Sequence, residues 1–203
     1  LLIFILVRVI PGDPVRIALG PTATEQQVEA LTKQMGFDKS LPEQYLAFLS
    51  NALRFEFGLS LYSNRPVAED LARGLPATLE LILYTTFGVV VMGFAFGILS
   101  ARYERRRIDQ VTRVASIAFV SIPVFVWALL LIMMFAYWTH ILPVGQRLGE
   151  FQTPPPAVTR FYTIDALIAG KFETFWDALA HLIMPAVALS LPSMAQIIRL
   201  TRT

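Results

Sequence analysis

From residue 114 to residue 139 the chain runs for 26 residues without one charged side chain. As a helix that run is about 39 Å long, more than the roughly 30 Å hydrocarbon core of a bilayer. Two other runs resemble it. Residues 81–101 are uncharged, and only Glu80 interrupts the extension of that run back to Ala77. Residues 182–198 are uncharged and contain Pro185, Pro192 and Gln196. Three membrane spans are therefore expected, at 77–101, 114–139 and 179–198. Composition agrees, with 55% apolar and 16% charged residues, where a soluble domain has about 25% charged. This excludes a disordered chain.

Residues 1–7 are also apolar, but seven residues make only about 10 Å of helix. They read as the outer half of a span whose beginning is missing, ending at residue 10, so the chain is expected to be a fragment. The remaining arginines set the orientation. Arg102, Arg105, Arg106, Arg107 and Arg113 stand against Glu104 and Asp109 in the link between two spans, and Arg199 and Arg202 follow the last one. Basic surplus in short links marks the cytoplasmic side. Residues 102–113 and 199–203 are thus expected in the cytoplasm, and 11–76 and 140–178 outside. A net charge of +2 is too small to indicate a nucleic-acid partner.

The first outer segment carries helix signals. Thr24 with Gln27, and Ser40 with Glu43, have capping-box spacing. Val28, Leu31 and Met35 then recur at helical spacing before Gly36, a C-terminal stop. A second helix would bury Tyr45, Leu46, Phe48, Leu49 and Leu53. A third is expected after Asn64, with Pro66 early in it and a stop at Gly74. These amphipathic helices either pack on the spans or offer a docking platform to a soluble partner. In the second outer segment, Pro143, Gly145, Gly149 and Pro154 to Pro156 predict irregular chain. Short helices are expected at 164–169 and 172–179. Phe161, Tyr162, Phe172, Phe175 and Trp176 suit the membrane interface, or else contact substrate.

Within the spans, Gly93 and Gly97, with Gly88 nearby, form a Gly-x-x-x-Gly pair where another helix can approach closely. Pro123 predicts a kink. Pro185 and Pro192 fall two turns apart on one side of the last span, and the three prolines fit either a cavity with a moving part or simple shape-fitting. Glu80 is expected in the first turns of its helix, after Pro76, where the positive helix end favours it. His181 reads as a satisfied histidine at the outer start of the last span. No proton relay or catalytic dyad can be assembled. With no cysteine, and with His140 and His181 far apart, no metal and no cofactor are expected.

The stretch Arg8-Val9-Ile10-Pro11-Gly12-Asp13-Pro14 resembles the Arg-x-x-Pro-Gly-Asp-Pro outer turn that follows the first span in one permease family. The likeness continues through Gly36-Phe37-Asp38-Lys39-Ser40-Leu41-Pro42-Glu43-Gln44-Tyr45, Arg65-Pro66-Val67 and Leu75-Pro76-Ala77-Thr78-Leu79-Glu80-Leu81. It goes on through Ser121-Ile122-Pro123-Val124-Phe125, Asp165-Ala166-Leu167-Ile168-Ala169-Gly170, His181-Leu182-Ile183-Met184-Pro185-Ala186 and Arg199-Leu200-Thr201-Arg202. The family comprises the B-type membrane subunits of binding-protein-dependent ATP-binding cassette importers for dipeptides, oligopeptides and nickel. The resemblance implies an all-α fold, a polytopic transmembrane helical bundle of the type I importer permease kind, here partial, with short amphipathic helices in its outer loops. It implies a homologous second permease subunit, two ATPase subunits and a soluble substrate-binding protein as partners, in the bilayer of a bacterial or archaeal plasma membrane.

Alternating access would be driven by ATP hydrolysis in the partners. The expected translocation path is bordered by Ser121, Phe125 and Trp127, with Pro123, Pro185 and Pro192 shaping it. Arg199 and Arg202 mark the edge where a cytoplasmic coupling loop is expected to begin, beyond Thr203. Peptides are the expected cargo, and nickel chelates or glutathione are the alternatives within the family. A membrane scaffold without transport is the rival of another class.

Overall fold

The structure is a computed structural model that describes residues 4–5, 14–20, 22–34, 36–60, 63 and 65–202. Pro11, Gly12 and Asp13 of the expected outer turn lie outside the described residues, and Pro14 opens helix α1 (Pro14–Leu19). Among the described residues the regular structure is helical, apart from an isolated bridge between Leu59 and Pro66. The chain folds as two units, Leu1–Arg73 and Gly74–Thr203.

In the first unit, local chemistry sets the helix ends. Before α2 (Glu25–Gln34), the Gln27 side chain accepts from the Thr24 N–H at 2.9 Å and Thr24 Oγ1 accepts from the Gln27 N–H at 3.4 Å. These bonds satisfy donors that a helix start leaves open. At its other end Gly36 takes φ 68°, and the Phe37 N–H reaches back to the Thr32 carbonyl at 3.0 Å, a left-handed cap. Helix α3 (Leu41–Leu53) starts where Glu43 accepts from the Ser40 N–H at 3.1 Å. Val15 of α1 and Val28 of α2 are buried. The α3 helix forms, but the expected burial of its apolar side does not: among the described residues it buries none. Phe4 meets Tyr45 and Phe48, while Leu46 and Leu53 remain 65% and 83% exposed.

Helix α4 (Val67–Arg102) has 36 residues, about 54 Å. The short helix expected to stop at Gly74 and the span expected from 77 are therefore one element. Gly74 does not adopt the left-handed φ that Gly36 and Gly170 use to end their helices. Pro76 sits inside the helix, its ring unable to donate to the carbonyl four residues earlier.

The apolar run at 114–139 departs furthest from expectation. It folds as α5 (Arg107–Ser121), α6 (Val124–Leu131) and a π-helix (Ile132–Trp138). The two halves are bent by 111° at Ile122 and Pro123, far more than the kink predicted within one span. The reason is steric: a residue before proline is driven out of the helical region, and Ile122 is extended at φ −90°, ψ 127°. Among the described residues, two helices, α4 and α8 (Phe172–Arg202), are long and apolar enough to cross a membrane, and the bent pair makes a third if it counts as one span. After α7 (Tyr162–Ile168), α8 starts at Phe172, earlier than the span expected from 179, and runs through Pro185 and Pro192 without a break.

Helix α8 is the centre of the second unit, with α5, α6 and α7 all packed on it. Leu191, Met194 and Ile198 form its buried cluster, with Phe119 and Trp127 against them. Helix α4 lies along α8 on small residues. A Cβ built on Gly93 would meet Ile197 Cγ2 at 2.9 Å, and one on Gly97 would meet Thr201 Cβ at 2.6 Å. Both indices rise together, so the two helices are parallel. The large side chains of α4 point away from the bundle, with Phe87 66% exposed, the arrangement of a helix that faces lipid and packs through small residues.

Candidate functional site

Three buried carboxylates hold the second unit, Glu80 and Asp165 towards one end of its long helices and Asp109 towards the other. Glu80 on α4 is 1% exposed. Its Oε1 accepts from the Thr163 N–H at 2.8 Å and from the Thr163 hydroxyl at 2.6 Å, and its Oε2 accepts from Arg147 at 2.6 Å. Arg147 in turn donates to the Arg160 carbonyl at 3.0 Å and lies 3.6 Å from the centroid of the Tyr162 ring. The expectation that Glu80 occupies the first turns of its helix is corrected. The helix begins at Val67, so its end has no hold on the charge, and a guanidinium and a threonine take that part.

Asp165 shapes the same region. This buried side chain of α7 accepts from the N–H groups of Val158, Thr159 and Arg160 at 3.2, 2.8 and 2.8 Å, and from the Thr159 hydroxyl at 2.7 Å. Burial pushes its pKa up, yet these donors together outweigh burial and hold it below the usual carboxylate value. They fold the 158–160 turn onto the start of α7.

The second hub is Asp109, fully buried at the start of α5 in the 102–113 link. It accepts from Ser100 Oγ at 2.7 Å, the Arg105 N–H at 3.1 Å and Arg113 at 3.0 Å, and Arg202 Nε lies 2.6 Å away. One carboxylate thus ties together the last turn of α4, the link, α5 and the end of α8. The Ser100 hydroxyl is the largest influence on its pKa. With Arg105, Arg202 and Arg113, and against burial, it brings the value down to about 2.

Next to this hub, a cavity of about 250 Å³ runs between α5 and α8, lined by Arg113, Ile117, Val120, Ser121, Ala195 and Arg199 among others. Another, of about 180 Å³, is lined by Ala128, Ile132, Gln146, His181 and Pro185. His181 Nδ1 lies 2.8 Å from the Asp177 carbonyl. A carbonyl only accepts, so Nδ1 is the donor in this contact.

The residues expected along the path do not share one wall. Ser121 lines the cavity beside the arginines, and Pro185 lines the one with His181. Pro123 forms the break and starts α6. Phe125 is 66% exposed. Trp127 turns onto the α8 core, edge-on to Phe119 at 5.5 Å, and its buried Nε1 has no partner among the described residues. Pro192 is half-buried on α8. Of the pair at the coupling edge, Arg202 joins Asp109 and Arg199 lines the cavity.

Sequence reasoning did not single out Asp109, Arg147 or Asp165. Asp109 had a signal, an acid set among five arginines. Arg147 had none, since it meets Glu80 across 67 positions.

Residues 93–203 match the family described as binding-protein-dependent transport system inner membrane component, and residues 1–82 match the family of its N-terminal part. The chain is 38% identical over 200 residues to the probable D,D-dipeptide transport system permease protein DdpB of Escherichia coli K12, covering 98% of this chain and 59% of that protein. It is 35% identical to the di/tripeptide transport system permease protein DppB of Pseudomonas aeruginosa UCBPP-PA14, over 100% of this chain and 60% of the relative. It is 33% identical to the glutathione transport system permease protein GsiC of Escherichia coli O1:K1, over 87% and 56%. The chain thus spans little more than half the length of these relatives.

Proposed function

The chain belongs to the binding-protein-dependent transport system inner membrane components, and from that premise we propose that it forms part of one membrane-spanning half of an ATP-driven peptide importer. A homologous permease would supply the other half, two ATPase subunits the energy, and a soluble binding protein the cargo. The observation that carries the reading is similarity along nearly the whole chain to permeases named for dipeptides and tripeptides. The physical design is consistent with it. Glu80 and Asp109 are both committed to arginine and hydroxyl partners, so neither is placed to carry protons across, and energy must reach the helices by another route.

In this reading the arginine surplus puts the 102–113 link and the end of α8 in the cytoplasm, with Arg199 and Arg202 next to the ATPase. Residues 11–76 and 140–178 then face outward, where the open side of α3 offers the binding protein a surface. The break at Pro123 is the element able to change shape, with Ser121 and Phe125 on either side of it and Pro185 and Pro192 within α8, the helix on which α5 and α6 pack. Nickel chelates and glutathione are the alternative cargoes, and the likeness to GsiC favours the second of them.

The test is uptake of a labelled dipeptide by cells that lack their own dipeptide permeases and express the full-length protein with its partner subunits. Uptake should require the soluble binding protein and an ATPase with intact nucleotide hydrolysis, and excess unlabelled glutathione should leave it unchanged. Uptake that continues without the ATPase overturns the importer reading. Strong competition by glutathione moves the cargo to the alternative.

A further inference from the structure

Residues 100–113 and 199–202 hold seven arginines against two carboxylates, and the fold brings α4, α5 and α8 together there around Asp109. That carboxylate takes up Arg113 and Arg202. Arg199 is different. It is exposed on the last turns of α8, it has no carboxylate partner among the described residues, and its side chain lines the cavity of about 250 Å³ between α5 and α8. From this charged mouth the cavity follows the two helices inward, walled by Ile117, Val120, Ala195 and Ile198. The step from Arg113 to Ser121 along α5 is about 12 Å.

A guanidinium at the mouth and an aliphatic wall behind it are the two halves of an amphiphile's binding site, in order. A small soluble anion would leave the wall without a partner, and a purely apolar ligand would leave the guanidinium without one. Basic pockets between membrane helices, at the end where basic residues cluster, suit anionic headgroups. We propose that this cavity seats an anionic phospholipid, its phosphate on Arg199 and an acyl chain along Ile117 and Val120. Of the three arginines that line the cavity, Asp109 takes up Arg113 and Arg202, and Arg199 is the one without a carboxylate among the described residues, placed to meet the headgroup.

The test uses the full-length protein extracted from membranes in mild detergent, in whatever assembly it is recovered, mixed with phosphatidylglycerol and phosphatidylcholine and read by native mass spectrometry. Bound phosphatidylglycerol should exceed phosphatidylcholine. Arg199→Gln should lower the bound phosphatidylglycerol about fivefold, the worth of one basic residue near a headgroup, while Arg199→Lys retains most of it. Ile117→Trp, which fills the wall and leaves every arginine in place, should expel the lipid. Equal phosphatidylglycerol on wild type and Arg199→Gln overturns the proposal. So does retention by Ile117→Trp, which decides the matter if Arg199→Gln does not fold. Displacement by inorganic phosphate would assign the site to a free anion and overturn the lipid assignment.

Discussion

Glu80 of α4 and Thr163 of α7 are joined twice through one carboxylate oxygen, at 2.8 Å to the backbone and 2.6 Å to the hydroxyl, across 83 positions of sequence. With Arg147 on the other oxygen, the charge is fully partnered although only 1% of the residue is exposed. A buried ion pair does not stabilise much against an apolar replacement of the whole, but removal of one partner strands the other. The hub is therefore a tether between a long helix and the 140–178 segment, and its loss should be felt at both ends.

Glu80→Ala should destabilise the full-length protein by about 3–5 kcal/mol, read as a lower thermal midpoint in detergent. Glu80→Gln should cost less, because its amide oxygen still accepts from Thr163. Arg147→Ala combined with Glu80→Ala should cost clearly less than the sum of the two single changes, as expected of contacting residues. Strict additivity would show that the pair is not coupled.

The Asp109 hub has a pH signature. Its carboxyl is held from an ordinary value of 3.8 down to about 2 in the folded protein. A depressed folded pKa contributes stability that is present above the unfolded value and lost as pH falls through the folded one. Asp109→Asn should therefore lower the thermal midpoint by a constant amount from pH 8 to pH 5. The gap from wild type should shrink from about pH 4 towards pH 2. A gap that stays constant down to the lowest pH would mean the carboxylate charge contributes nothing.

The close approach of α4 and α8 can be tested by adding single methyl groups. Gly97→Ala puts a Cβ 2.6 Å from Thr201 Cβ, while the same change at Gly88 meets Ser190 Cβ at an ordinary 4.0 Å. Gly97→Ala should cost about 1–3 kcal/mol by overpacking, and Gly88→Ala should be close to neutral. Thr201→Gly should relieve Gly97→Ala, and Thr201→Ala should not, because the clashing atom is the Cβ itself. Equal midpoints for Gly97→Ala and Gly88→Ala would place the two helices further apart.

Features set by neighbouring residues were readable in the chain. Thr24 with Gln27, Ser40 with Glu43 and the turn at Gly36 involve atoms a few positions apart, so spacing alone carries the chemistry. Features set by distant packing were not. Pro123 announces that Ile122 cannot be helical, but the 111° bend depends on Trp127 and Phe119 closing together on Leu191, Met194 and Ile198. In the same way, Gly74 looks like a stop, and the helix simply runs through it. The apolar side of α3 is plain in the sequence, yet Leu46 and Leu53 on that helix stay exposed.

Phe125 and Trp127 share a sequence neighbourhood and an expected role, but their surroundings separate them. Trp127 packs on the α8 core against Phe119, so Trp127→Ala should destabilise by about 3–5 kcal/mol. Any loss of uptake it causes would then be a loss of folded protein. Phe125 is 66% exposed, and Phe125→Ala should change stability by no more than about 0.5 kcal/mol. If Phe125 borders the path beside the Pro123 break, dipeptide uptake by the intact transporter should fall in Phe125→Ala while the amount and thermal midpoint of assembled protein stay at the wild-type level. Full uptake with a normal midpoint would take Phe125 off the path. It would leave Ser121, which faces the arginine cavity, as the one residue of the three still placed to border it.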